Sequence, residues 1–159
     1  MEEVMHNIFV YGTLKQGQPN YHIMTDSKLG KALFKGRGRT VDKYPLVIAR
    51  EENIPFLLEV PRTGHRIAGE IYSVDDQMLQ FLDEFEGCPD MYQRTIKRIE
   101  ILDWEGKDGS PEERPAASTI ECFVYSTTSY KPEWLSLTYH DCYDSCGAHG
   151  LLFCDRQDR

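Results

Sequence analysis

Only one stretch of this chain repeats with a helical period. The remaining apolar residues come mostly in short, β-rich runs stopped by Gly or Pro. Asn7 to Tyr11 is such a run, ended by Gly12. Ala32 to Val41 and Leu46 to Ala49 read as strands, with turns expected at Gly36, Gly38 and Tyr44-Pro45. Phe56 to Val60 reads as a strand started by Pro55 and stopped by Pro61-Arg62-Thr63-Gly64. Arg66 to Val74 places Ile67 and Ile71 on one face and Ala68, Tyr72 and Val74 on the other. Tyr92 to Leu102 is a long strand whose apolar phase shifts between Ile96 and Ile99, so a bulge is expected there. Thr119 to Ser126 is a further strand, and Tyr21 to Leu29 has room for one or two helical turns. The Pro-, Gly- and acid-rich Asp103 to Ala117 reads as a surface loop, and the chain after Ser129 as an irregular aromatic tail wrapped on the body. Many strands at short spacing with one good helix predict an α+β fold, an antiparallel sheet or small barrel, in a single domain over 1–159.

Composition narrows the function classes. Eighteen Lys and Arg against 26 Asp and Glu give a net charge of −8, which repels phosphate backbones, so no nucleic-acid partner is expected. No apolar run approaches the ~18 residues of a spanning helix, and no secretory signal pattern is visible at Met1 to Asn7, so neither a membrane nor an export role is expected. Five cysteines, an odd number, read as free thiols in a reducing, cytoplasmic setting. His140, Cys142, Cys146 and His149 lie close in sequence, but the tight Cys-x2-Cys knuckle is missing, and no metal is expected. Cys88 beside Pro89 reads as a packing residue, since no basic neighbour would activate it.

The helix starts at an Asp75 or Asp76 cap and runs through Met78 to about Glu86, where Gly87 stops it. With Met78 set at zero, Leu82 falls at about 40°, Leu79 at about 100°, Phe85 at about 340° and Phe81 at about 300°, one continuous apolar arc. Asp83 and Glu84 fall outside the arc and read as solvated surface. Glu86 falls inside it, at about 80°. An inward carboxylate at a helix C-terminus is disfavoured as an anion by desolvation and by the dipole. Both effects raise its pKa from about 4.3 towards neutrality, which suits a group that takes and then gives a proton. Fraying of the last turn, or pairing with an internal Arg or Tyr, are the competing readings. Gly12 poses a similar choice. A Gly-Thr turn at the end of a buried strand exposes N–H groups able to hold an oxyanion, or is simply a turn.

Phe9-Val10-Tyr11-Gly12-Thr13-Leu14-Lys15, with Leu82-Asp83-Glu84-Phe85-Glu86-Gly87 further on, resembles the γ-glutamyl cyclotransferase superfamily. Gly38-Arg39-Thr40, Asn53-Ile54-Pro55, Gly69-Glu70-Ile71-Tyr72, Tyr92-Gln93-Arg94-Thr95 and Cys122-Phe123-Val124-Tyr125-Ser126 extend the likeness in order along the chain. Tyr44-Pro45-Leu46-Val47 and His140-Asp141-Cys142-Tyr143-Asp144 narrow it to the branch that releases amines from γ-glutamylamines. The resemblance implies a mixed β-barrel with Glu86 as the acid–base residue, and a γ-glutamyl group cradled by Tyr11, Gly12, Thr13 and Leu14. Ile54 and Tyr125 would line the same cavity. It also implies γ-glutamyl-ε-lysine, the remnant of transglutaminase cross-links, as preferred substrate class, with 5-oxoproline and a free amine as products.

Such a substrate carries its own nucleophile, so no cofactor, metal or protein partner is called for. Closing the lactam needs a folded conformer, a base for the α-ammonium and an acid for the departing amine. The tyrosines are expected to orient the substrate's α-carboxylate rather than act as bases. Three rival readings remain. One is a sister enzyme for γ-glutamyl-α-amino acids or glutathione. Another is a non-catalytic binder of a small acid. The third is an interaction domain built on Tyr130, Trp134, Tyr139 and Tyr143.

Overall fold

The computed structural model describes residues 5–18, 20–49, 54–60, 62–87, 92–104, 119–128 and 130–143. Cys88, Pro89, Asn53, Cys146, His149, Cys154 and the 105–118 part of the expected loop lie outside the described residues. The elements run β1 (Met5–Val10), α1 (Tyr21–Met24), β2 (Ala32–Thr40), β3 (Leu46–Ala49), β4 (Ile54–Leu57), β5 (Ala68–Asp75), α2 (Asp76–Phe85), β6 (Gln93–Trp104) and β7 (Thr119–Ser126), then a 3-10 turn over Pro132–Ser136.

Five strands close into a barrel in the order β1-β5-β2-β6-β7, and β3 and β4 form a separate hairpin. The expected antiparallel pairing holds at four of the five seams. The fifth, β1 with β7, is parallel, because a closed ring with an odd number of strands cannot be antiparallel at every seam. Phe9, Ile71, Ile99, Ile101, Cys122 and Val124 converge from these strands into one buried cluster. The opposite face of β1 and β5, with Ile8, Val10, Tyr72 and Val74, packs against Met78, Leu79 and Leu82 of α2. Strands buried on both faces need apolar residues at consecutive positions, which is why β1 reads as a continuous run rather than an alternation.

Four local expectations change. Gly36 and Gly38 are not turns but lie within β2. A Cβ at Gly38 would stand 2.7 Å from both the Glu100 carbonyl and Ile99 Cγ2, so this glycine is demanded by close backbone approach. The hairpin strand begins at Ile54, with Pro55 inside it opposite Ile48, and ends at Leu57. No bulge separates Ile96 from Ile99, because β6 pairs with β7 without interruption from Gln93 to Glu100. The apolar phase shifts because Lys97 takes an inward position, paired with Glu59 and lying 4.4 Å from the Tyr44 ring centroid, while Ile96 faces solvent. The irregularity on β6 sits instead at Leu102, between the Gly38–Ile101 and Arg37–Asp103 pairs. Finally, β6 carries on through Asp103 and Trp104, whose neighbour Arg37 donates N–H and guanidinium bonds to the Asp103 carboxylate.

The tail contributes to the core. Trp134 lies 4.7 Å from Phe56, Tyr143 is fully buried, and the Ala68 N–H donates to the Asp141 carbonyl. No helix among the described residues is long and apolar enough to cross a membrane.

Candidate active site

Helix α2 begins where Asp75 accepts the Met78 N–H at 2.8 Å. Its last turn does not fray. The Glu86 N–H donates to Leu82 O at 2.8 Å, and Gly87, at φ +69°, donates to Glu84 O. A left-handed residue ends the helix at low cost only if it is glycine, so the sequence stop falls where the geometry needs it. Glu86 is thereby held half-buried at the helix end, in the wall of a pocket of about 510 Å³ including its mouth.

The opposite wall is the loop that follows β1. Tyr11, Gly12, Thr13 and Leu14 line the same pocket as Glu86, as do Ile54 and Tyr125. Phe85, Pro55 and Tyr92 complete its aromatic and apolar rim. Three tethers hold the loop. Thr13 Oγ1 accepts from Asn20 Nδ2 at 2.9 Å, and its carbonyl from the Asn20 N–H at 2.8 Å. The Gln16 N–H donates to the Glu70 carboxylate at 3.0 and 3.3 Å. Lys15 Nζ donates to the Tyr143 carbonyl at 2.5 Å and reaches Cys142 Sγ at 3.5 Å. Glu70 is a buried carboxylate on β5 that also accepts from the Tyr72 hydroxyl.

The pocket's phenols point their protons into the protein. Tyr11 donates to the Tyr125 carbonyl at 2.6 Å and accepts the Leu57 N–H at 3.2 Å. Tyr125 donates to Asp83 Oδ1 at 2.8 Å, and Tyr92 to the Pro55 carbonyl at 2.8 Å. The expectation that these tyrosines orient a substrate carboxylate is therefore corrected, since their hydroxyl donors are already used by the fold. Burial, and after it the charge of Glu86, push the Tyr11 phenol far above its usual range. A phenol shifted in that direction is neutral near neutral pH and poorly suited to act as a base. On the pocket-lining loop, the N–H groups of Gly12, Thr13 and Leu14 have no acceptor among the described residues.

Asp83 corrects a second expectation. It is no free surface carboxylate, because Arg94 Nη1 donates to its Oδ2 at 2.6 Å while Tyr125 donates to Oδ1. Sequence reasoning also missed Glu70 as a loop anchor. The one signal was a charged residue in the middle of a strand whose neighbours are all apolar or small. Among the described residues no cluster of metal-binding side chains is present, and His140 and Cys142 are the only members of the tail set that can be placed.

Gly12 gives a test of pocket width. An added Cβ would stand 3.0 Å from Pro55 Cγ, and Pro55 is fixed in β4 opposite Ile48. Gly12→Ala is expected to lower kcat/KM by about tenfold, mainly through KM, with little change in Tm. Steady-state kinetics and a melting curve check this.

Residues 8–145 match the family described as gamma-glutamyl cyclotransferase, AIG2-like. The gamma-glutamylaminecyclotransferase of Xenopus laevis is 68% identical over 136 residues, 85% of this chain and 99% of that protein. That of Rattus norvegicus is 57% identical across 98% of this chain and 100% of its own. The crystal structure of an AIG2-like protein from Mus musculus aligns with a TM-score of 0.89 at 54% identity, over 98% of this chain and 99% of its own. A solved gamma-glutamyl cyclotransferase at 18% identity and TM-score 0.55 shares the fold. A barrel of this order, a Tyr-Gly-Thr-Leu loop and a helix-end glutamate facing it thus agree with the sequence likeness, and the chain belongs to the γ-glutamyl cyclotransferase, AIG2-like family.

Proposed function

We propose that this protein cyclises γ-glutamylamines to 5-oxoproline and a free amine, with Glu86 as the single acid–base group. The observation that carries the reading is the placement of the Glu86 carboxylate across one pocket from a loop with unused N–H donors. The relatives' shared name, gamma-glutamylaminecyclotransferase, supports the substrate class.

The α-ammonium of the substrate lies four bonds from the γ-carbonyl. Glu86 accepts one of its protons, and the freed amine attacks the carbonyl carbon. The resulting oxyanion is met by N–H groups at Gly12 and Thr13, each such donor being worth ~3 kcal/mol in comparable sites. Protonated Glu86 then donates to the γ-nitrogen and the old C–N bond breaks. A second ammonium proton follows the leaving amine, the third stays on the lactam nitrogen, and Glu86 ends ionised. Apolar walls at Phe85, Pro55 and Ile54 suit the alkyl part of an amine such as lysine.

The test compares turnover of γ-glutamyl-ε-lysine with that of γ-glutamyl-alanine. A kcat/KM at least about tenfold higher for the lysine conjugate is expected. Preference for the alanine dipeptide would move the protein to the sister activity, and 5-oxoproline binding without turnover of either would make it a binding module. Activity is expected to survive chelators, since no step of this route uses a metal.

A further inference from the structure

We propose that Asp83 is a positioning residue that fixes Glu86 against the Gly12 loop, through a cross-strand clamp on Tyr125 and Arg94. The inference rests on Glu86 being the acid–base group. Glu86 lies just beyond the last helical residue of α2, where a carboxylate meets the unfavourable end of the helix dipole and where turns open most readily. The helix's own bonds from the Glu86 and Gly87 N–H groups hold the backbone of this turn, and contacts outside the helix fix the turn against the barrel. Asp83 precedes Glu86 by three residues, about 60° around the helix axis, so it belongs to the same turn.

The two carboxylate oxygens of Asp83 go to two different strands. Oδ1 accepts from the Tyr125 hydroxyl of β7 at 2.8 Å, and Oδ2 from Arg94 Nη1 of β6 at 2.6 Å. Arg94 and Tyr125 are direct partners in the β6–β7 ladder, so the clamp closes on a single rung of the barrel. Arg94 is itself braced, with its guanidinium 4.8 Å from the Phe123 ring centroid. The carbonyl of Tyr125 accepts the Tyr11 hydroxyl, and Tyr11 enters the Gly12 loop. A path of one residue, Tyr125, therefore joins the helix turn that carries the carboxylate to the loop that carries the N–H donors. Proton transfer in both directions requires those two walls at a fixed spacing, and a displacement on the order of 1 Å costs up to ~100-fold in rate.

The experiment measures turnover of γ-glutamyl-ε-lysine by the full chain carrying Asp83→Asn, Asp83→Ala, Tyr125→Phe, Glu86→Gln and the pairs Asp83→Ala with Tyr125→Phe and Asp83→Asn with Glu86→Gln. Asp83→Ala and Tyr125→Phe are each expected to lower kcat by about 10- to 100-fold while KM stays within about threefold. The first pair should be no worse than Asp83→Ala alone, because both changes cut the same bond. In the Glu86→Gln background, Asp83→Asn should cost nothing further, since no acid–base group remains to be positioned. Tyr125→Phe keeps the ring in the wall, so it carries the test if the Asp83 variants fold poorly. Unchanged kcat in Asp83→Ala and Tyr125→Phe, a loss confined to KM, or an equal loss with and without Glu86 would overturn the proposal. Wild-type turnover by Glu86→Gln would instead remove the parent assignment, and this one with it.

Discussion

Replacing Glu86 by Gln is expected to abolish practical lactam formation, lowering kcat by ~10²–10⁴-fold, while Tm and 5-oxoproline affinity change little. Gln has the same shape and still hydrogen-bonds, so the pocket wall and the Leu82–Glu86 helix bond are retained. What is lost is the one carboxylate that lines the pocket among the described residues, able to take a proton from an ammonium and return it to a departing amine. Glu86→Asp keeps the chemistry but withdraws the carboxylate by one methylene, and a fall of about 10- to 100-fold is expected. The acid limb of the wild-type kcat/KM profile, where the base is protonated and inactive, should be missing from the residual activity of Glu86→Gln. Lactam production at the wild-type rate by that variant would refute the mechanism.

How much of this was readable beforehand depends on how far apart the partners lie in sequence. Helix α2 was legible because its period, its Asp75 cap and its Gly87 stop are all local, and Glu86 was legible because it breaks the polarity of its own arc. The strands were legible as strands for the same reason. Their order was not, because the parallel β1–β7 seam that closes the barrel depends on segments at opposite ends of the chain. Lys97 shows the limit most clearly. A lysine looks like a surface residue, and only Glu59 and Tyr44, far away in sequence, make its inward placement tolerable.

The site divides along the same line. The Tyr11–Leu14 loop and Glu86 carry recognisable short motifs, whereas the residues that hold them do not. Asp83 reads as solvent-facing by periodicity until Arg94 and Tyr125 are seen to meet it. Glu70 looks out of place in β5 until the Gln16 N–H arrives from across the barrel. The tyrosines mislead for the opposite reason. A phenol beside a pocket suggests a donor to substrate, yet only tertiary structure shows that Tyr11, Tyr92 and Tyr125 have already given their protons to the protein.

Those buried phenols make the second large prediction, a steep loss of stability in alkali. Burial, followed by the charges of Glu59 and Asp42, raises Tyr44 to about 12, and burial alone raises the Cys122 thiol to about 12. Tyr11 and Tyr72 are pushed far above the usual tyrosine range, by burial first and then by Glu86 and Glu70 respectively. In the unfolded chain the thiol titrates near 8.5 and the phenols near about 10. Below pH ~8 all four groups are protonated in both states and contribute no pH dependence. Above pH ~10 the unfolded chain releases protons that the folded chain retains, so stability falls as pH rises, by up to about 1.4 kcal/mol per pH unit for each group. The four groups act in the same direction, so unfolding is expected in strong alkali. Far-ultraviolet circular dichroism and tyrosinate absorbance should then show two phases. Of the nine tyrosines, the buried Tyr11, Tyr44 and Tyr72 belong to the second phase, which coincides with loss of secondary structure. Activity should vanish in that second phase, because the pocket walls joined by the Tyr11–Tyr125 bond come apart with the fold. Smooth titration of all tyrosines with the dichroism unchanged would mean that the Tyr11–Tyr125 bridge is not the buried contact described above.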